Sequence, residues 1–551
     1  MHFCLLRAVI GLLLALAGQA LLARQLAAVA VRLTPWWAFA LVAAEAAFFV
    51  TWRAKKAALN EVPEQHVPVG HDGWACFERW HSCSHYNVKL LAIAELIKCW
   101  FDNVPIMEIR RGNAAELVAR GYFYKTMDQM RAEHKEHLVE EMLLAIEQVW
   151  GYRFDDGVNP DLQYLDHLQE PLKAHYRPLA FYLLCEGMAA AKHIMLLAAG
   201  FKVHTYGAYT YYTYNLPTEW QAAHGQRASK DCLHPIIFLH GVGAGLLPYI
   251  PFLLRTTALG RPVMAVEYKH LSMRWTDHIP TAPEVARDMS AMFDLHGISK
   301  ASMVAHSYGT FYVACLLKLA PEKVHSMTLI DPVCCCMWSG HLISNFVYSP
   351  ARSTTGLITW LIARDIHTAT SVSRNFFWTD VNMWPDEVPD RCLFVLSDKD
   401  DLVPVQHVDA MLRHDVPSAR ILHHPSMHHA DFLFSRSWQD QILSHVAEMV
   451  QLPSSSPKIS SPAAAERQAA TAAAAGSGPL SSCCSGSVLK ETSDSMSGDG
   501  LHQQHQQQHI MISELSPRGS GSNEAGAQTR SAAAACLDAA FGSSSTILKR
   551  R

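Results

Sequence analysis

The rhythm of apolar and polar positions changes several times along the chain. Residues 8–23 (AVIGLLLALAGQALLA) and 33–52 (LTPWWAFALVAAEAAFFVTW) are almost unbroken apolar runs. Each is close to the roughly 20 residues that carry a helix across a bilayer. Arg24 and Arg32 lie between the runs, and Arg53, Lys55 and Lys56 follow the second. Trp36, Trp37 and Trp52 sit near its ends, where interfacial aromatics are favoured. The pattern predicts membrane attachment through residues 1–56. It fits two membrane helices, one helix with an interfacial segment, or a cleaved leader followed by one anchor; a soluble helical hairpin is the remaining reading. Glu45, inside the second run, has to be neutral or paired.

From 57 to 202 the spacing is helical. Residues 88–101 and 137–150 carry apolar positions at helical intervals, and 178–200 form a longer apolar stretch. Glu186, Lys192 and His193 make that stretch a buried or membrane-facing helix rather than a span. The Tyr/Thr-rich segment 206–214 predicts a strand that opens a sheet. Between 233 and 450 short apolar runs alternate with helical segments: IIFL (236–239), VMAVE (263–267), ASMVA (301–305), SMTLI (326–330), CLFVL (392–396) and ARILH (419–423). Helices are expected at about 283–295, with Thr281 and Glu284 at capping-box spacing, and at 309–319. Such alternation predicts an α/β class domain over 203–450, a mostly parallel sheet with helices on both faces. From 451 to 551 Ser, Ala, Gly, Gln and His dominate. That composition buries too little apolar surface to offset ordering entropy and predicts a disordered tail.

Composition narrows the function classes. Half of the 551 residues are apolar and the formal net charge is −4. With no Lys/Arg-rich block, bulk attraction to nucleic acid is not expected, so any membrane attachment comes from apolar segments. The 14 cysteines form no CxxC pair and no zinc-finger spacing. They read as reduced thiols of a reducing compartment, with no metal site among them.

The chemistry gathers at the ends of the predicted strands. Ala305-His306-Ser307-Tyr308-Gly309 follows the strand ASMVA and precedes the helix at 309–319. A serine in that context sits on a sharp strand-to-helix turn with its hydroxyl presented as a nucleophile, and the positions two residues away must be small. About 65 residues upstream, by the spacing of such elements along the chain, His240-Gly241-Val242-Gly243-Ala244-Gly245 follows the strand IIFL. A glycine-rich turn at a strand end points backbone N–H groups into the site, which an acyl-transfer oxyanion requires. The N–H groups of Val242 and Tyr308 are the expected pair. A phosphate-binding loop is the rival, but neither Gly-Lys-Ser/Thr nor the dinucleotide fingerprint is present.

These segments resemble the α/β-hydrolase superfamily over residues 203–450. HGVGAGLLPY and AHSYGT are similar to a group of large, membrane-associated fungal and algal members. The resemblance implies a Ser, Asp, His order along the chain. Ser397-Asp398-Lys399-Asp400-Asp401-Leu402-Val403-Pro404 resembles the family's acid loop with Asp400 as the acid; Asp398, Asp401 and, after the preceding strand, Asp331 remain alternatives. His428-His429-Ala430-Asp431-Phe432 resembles the family's Gly-His-x-x-Phe motif with His429 as the base and His428 in place of the glycine. His423, His424 and His428 qualify by position as well.

The catalytic set implied is therefore Ser307, Asp400 and His429, which needs no metal or organic cofactor. The connection at about 333–390, rich in Trp and Phe, is long for a simple crossover. It reads as an apolar lid, or as extra helices packed on the core. Lid and tether together point to a membrane-associated serine hydrolase of a carboxylic ester, a small ester and a lipid ester both fitting. A non-catalytic lipid- or partner-binding scaffold and an acyltransferase of the same fold are the alternatives, and amide or thioester substrates stay open.

Overall fold

The computed structural model describes residues 36–62, 67–68, 70–84, 97–216, 234–352 and 356–451. The apolar run at 8–23 and the tail beyond Gln451 fall outside them, as does most of the helix expected at 88–101.

The predicted apolar runs become strands of one eight-stranded sheet: β1 (Lys202–Tyr206), β2 (Tyr209–Tyr214), β3 (Ile236–Leu239), β4 (Val263–Glu267), β5 (Ala301–His306), β6 (Val324–Ile330), β7 (Cys392–Ser397) and β8 (Arg420–His424), in the order β1-β2-β4-β3-β5-β6-β7-β8. β3 to β8 pair in parallel, whereas β1 and β2 add an antiparallel edge. The single strand expected at 206–214 is thus the second arm of a hairpin. Gly207 turns the chain at φ +54°, and Tyr206 pairs with Tyr209 across a two-residue turn.

Before the sheet come α1 (Trp36–Asn60), α2 (Glu136–Trp150) and α3 (Leu179–Ala198). Within and after it come α4 (Ile250–Thr257), α5 (Ala282–Leu295), α6 (Gly309–Leu319), α7 (Gly356–Ala363), α8 (Val405–Asp415) and α9 (Arg436–Gln451). Side chains of a strand alternate between faces, and β3 shows the result. Ile237 and Leu239 join a core with Met289 of α5 and Phe311 of α6, while Ile236 and Phe238 join a core with Phe252 of α4 and Ile442 of α9. Both faces are covered, so every residue of β3 is apolar and buried.

The helical region shares the first of these cores: Phe101, Met142 and Trp150 belong to the same apolar cluster as Leu239 and Met303. Its link to the sheet runs through the connection between β6 and β7, which folds into several short helices. Trp378 Nε1–H donates to Gly121 O at 2.7 Å, and Arg374 Nη1–H to Leu168 O at 2.6 Å. Phe376, Trp378 and Trp384 are buried there. Most aromatics of this connection therefore bind the two regions together, and among its described residues α7 turns large apolar groups outward, with Leu357 73% and Ile358 62% exposed.

Among the described residues, two helices, Trp37–Asn60 and Leu179–Ala198, are long and apolar enough to cross a membrane. They differ in what they bury. Lys192 of α3 is buried against Glu267 at the end of β4 and donates to Tyr212 Oη at 2.8 Å, and Glu186 pairs with Arg274 at 2.7 Å. α3 is thus held to the sheet through its polar residues. α1 leaves Phe39, Leu41, Val42 and Val50 exposed. Its Glu45 accepts from the Leu179 N–H at 3.0 Å and from the Tyr176 hydroxyl, so the carboxylate sits at the N-terminus of α3, where the helix dipole favours it.

Candidate active site

β5 ends at His306 and α6 begins at Gly309, so the chain reverses within two residues. Ser307 occupies that bend at φ +51°, a strained conformation for a non-glycine residue. The bend exists because the helix start lies hard against β3: a Cβ at position 309 would stand 2.6 Å from Leu239 O. Ala305 is fully buried and fits where the motif tolerates a small side chain. The glycine-rich turn after β3 is equally close, since a Cβ on Gly241 would stand 2.8 Å from Ser307 Cβ.

His429 Nε2 lies 2.8 Å from Ser307 Oγ, and His429 Nδ1 lies 2.7 Å from Asp400 Oδ2. Asp400 is carried by the turn after β7, and its other oxygen accepts the N–H groups of Leu402 (2.8 Å) and Val403 (3.1 Å). Its side chain is 1% exposed, and that of His429 is 14% exposed. Burial alone would push the His429 imidazole down. The Asp400, Asp331 and Asp401 carboxylates reverse this and hold it above the ordinary histidine value. Burial raises the Asp400 carboxyl against the pull of His429.

Most of the other candidates are occupied elsewhere, while the Asp401 carboxylate acts on His429 through space. Asp398 pairs with His423 Nδ1 at 2.7 Å, and His423 Nε2 faces Asp409 at 2.8 Å. Asp401 offers its backbone carbonyl to Asn345 Nδ2 at 2.6 Å. His424 packs edge-on to Trp438, and His428 Nδ1 lies 2.9 Å from Lys399 O. The positive-φ residue of the His429 loop is Ala430 at 68°, so a histidine at 428 meets no backbone penalty for replacing glycine. Asp331 is close to the site but does not bond the imidazole. Its oxygens accept the Ser397 O–H (2.7 Å) and the Ala430 N–H (2.8 Å).

Among the described residues, no acceptor takes the backbone N–H of Val242 or of Tyr308, whereas the Gly243 N–H is committed to Leu271 O at 2.8 Å. Two donors at the edge of the serine are therefore uncommitted. Asp331, Asp400 and His429 bring potential metal-ligand atoms within 4.8 Å of one another. Both nitrogens of His429 already serve Ser307 and Asp400, so the donor set matches a proton-transfer chain better than an ion cradle. The sequence reading did not single out His306, Tyr249 or Ser397. All three stood inside quoted segments, His306 in the serine motif, Tyr249 at the end of HGVGAGLLPY and Ser397 at the start of the acid loop, but nothing in those segments told that they face one another.

Residues 234–357 match a family model described as the alpha/beta hydrolase fold. The match includes the glycine-rich turn and the serine bend and ends before Asp400 and His429. No curated protein matches the chain in sequence. Among solved structures, the carboxylesterase CesB from Bacillus subtilis is 15% identical, with 48% of this chain and 98% of that chain covered and a TM-score of 0.34. A membrane phospholipase A described as a bacterial virulence factor is 14% identical over 49% of this chain and 94% of its own, with a TM-score of 0.34. A serine hydrolase from Cycloclasticus zankles is 13% identical over 46% and 99%, with a TM-score of 0.33. With the sheet order and the family match together, the sheet region of this chain has the α/β-hydrolase fold.

Proposed function

We propose that this protein is a membrane-associated serine hydrolase that cleaves carboxylic esters, lipid esters among them. The observation that carries the reading is the unbroken line from Ser307 Oγ through His429 to Asp400, at 2.8 and 2.7 Å, beside two uncommitted backbone donors.

In this reading His429 Nε2 takes the Ser307 proton as Oγ attacks the acyl carbon. The carbonyl π bond opens, and the Val242 and Tyr308 N–H groups hold the resulting oxyanion. Asp400 fixes the imidazole tautomer and stabilises its charged form. The imidazolium then returns its proton to the departing alcohol, leaving an acyl-serine. Water attacks that ester by the same route in reverse, which yields the carboxylic acid and free Ser307. The membrane part rests on α1: 25 residues at 1.5 Å each give about 37 Å, enough to span hydrocarbon. Its exposed apolar side chains and the outward Leu357 and Ile358 of α7 support an apolar acyl substrate.

A fluorophosphonate probe applied to the full chain tests the chemistry. Wild type is labelled, and Ser307→Ala is not; a folded wild type that never labels instead favours a non-catalytic scaffold. Deletion of residues 1–56 tests the tether: the shortened chain leaves the membrane pellet, and unchanged pelleting contradicts the anchor.

A further inference from the structure

A second polar chain runs beneath the serine, separate from the first. The Gly241 N–H donates to Tyr249 Oη at 3.2 Å, and Tyr249 Oη lies 2.7 Å from His306 Nδ1. When His306 carries its proton on Nε2, the Tyr249 O–H donates to Nδ1 while the phenol oxygen accepts the Gly241 N–H. Nε2 faces Asp331 Oδ2 at 3.5 Å, an electrostatic contact longer than the hydrogen bonds on either side of it. Asp331 in turn accepts from Ser397 and from the backbone N–H of Ala430, the residue after His429. Tyr249, His306, Asp331 and Ser397 are each at most 5% exposed, and the His306 and His429 rings lie 5.4 Å apart.

The two ends of this chain are the turn that carries Val242 and the loop that carries His429. We propose that Asp331, His306 and Tyr249 are positioning residues that lock the oxyanion turn and the His429 loop in register, and that Asp331 serves His429 as a second, non-contacting carboxylate. This rests on the Ser307–His429–Asp400 reading above. Asp331 is suited to stay ionised: burial pushes its carboxyl up, but His306, His429 and the Ala430 N–H hold it below the ordinary range. The charged or titratable groups facing His429 are Asp400, Asp331, Asp401 and His306. Neutralising one of the carboxylates therefore lowers the pH at which the imidazole becomes a free base.

The test uses the full chain with p-nitrophenyl butyrate, after fluorophosphonate labelling has established that wild type reacts and Ser307→Ala does not. Asp331→Asn is expected to lower kcat about tenfold and to move the acid limb of kcat/KM down by about one pH unit, a shift that a purely structural role would not cause. Tyr249→Phe removes one hydroxyl and no charge. It is expected to lower kcat severalfold with KM and the acid limb unchanged, as the oxyanion turn loses its tie. If Asp331→Asn does not fold, Tyr249→Phe decides alone. Folded variants with wild-type kcat and limb overturn the inference while leaving the triad reading intact, and a wild type inert to probe and ester overturns both.

Discussion

Two buried charge assemblies in this chain invite comparison. One is Ser307–His429–Asp400 at the strand ends, and the other is Lys192–Glu267 between α3 and β4. Both withdraw opposite charges from water, and both place a carboxylate just past a strand. Only the first adds a serine hydroxyl on a strained bend and, among the described residues, two backbone donors with no acceptor. Lys192 and Glu267 bond each other and are flanked by Tyr212 and Arg274. Burial of charge therefore marks a candidate site here only where backbone donors beside it are left over for a guest; a pair that meets protein groups on two elements holds a helix to a sheet.

The comparison can be broken most sharply at Asp400. Asp400→Asn keeps the shape but loses the tautomer control, and kcat is expected to fall by about 10⁴ in a chain that still folds. Lys192→Ala should do the opposite. It strands Glu267 with only the 3.5 Å contact to Arg274, and denaturant unfolding should report a loss of about 3 kcal/mol. The folded fraction of that variant should still label at Ser307. If labelling is lost from folded Lys192→Ala, the two assemblies are not independent and the contrast collapses.

A smaller effect sharpens the contrast through pH. Asp400 and Asp331 raise the folded-state imidazole of His429 above its unfolded value of about 6.5. A raised pKa contributes stability that is fully present below the unfolded value and is lost as pH climbs through the folded one. The free base, however, gains population over the same window. Esterase activity should thus rise with pH while the melting-temperature advantage of wild type over His429→Gln shrinks. Parallel rather than opposed curves would show that His429 does not feel these carboxylates.

What could be read from the residues depended on how local the signal was. Ser307 was legible because strand, turn and helix are contiguous, so small residues at 305 and 309 had a mechanical reason to be there. The Thr281–Glu284 capping box was legible for the same reason, and its side-chain contacts close the start of α5. The hairpin at 202–214 was missed because Gly207 interrupts a Tyr/Thr run that satisfies strand propensity on both sides of the turn. Asp331 was weighed as a rival acid, since its position after β6 gives no clue to whether it faces Nδ1 or the Ala430 N–H. The aromatics at 333–390 read equally well as lid or as packing, because hydrophobicity does not say which neighbour it meets. Glu45 posed a problem whose solution lies 134 positions away, at the Leu179 N–H.

That last contact has a mechanical consequence. Glu45 grips the start of α3, Lys55 meets Asp277 at 2.9 Å, and Lys56 donates to Ala174 O at 2.8 Å. The first helix is therefore fastened like a bracket along much of its length instead of hanging from a loose leash. With such a bracket seated in a bilayer, the enzyme body could neither swivel nor bob freely. The height of the serine above the lipid plane would then be set by the protein, and with it the depth at which an ester bond has to lie to be cut.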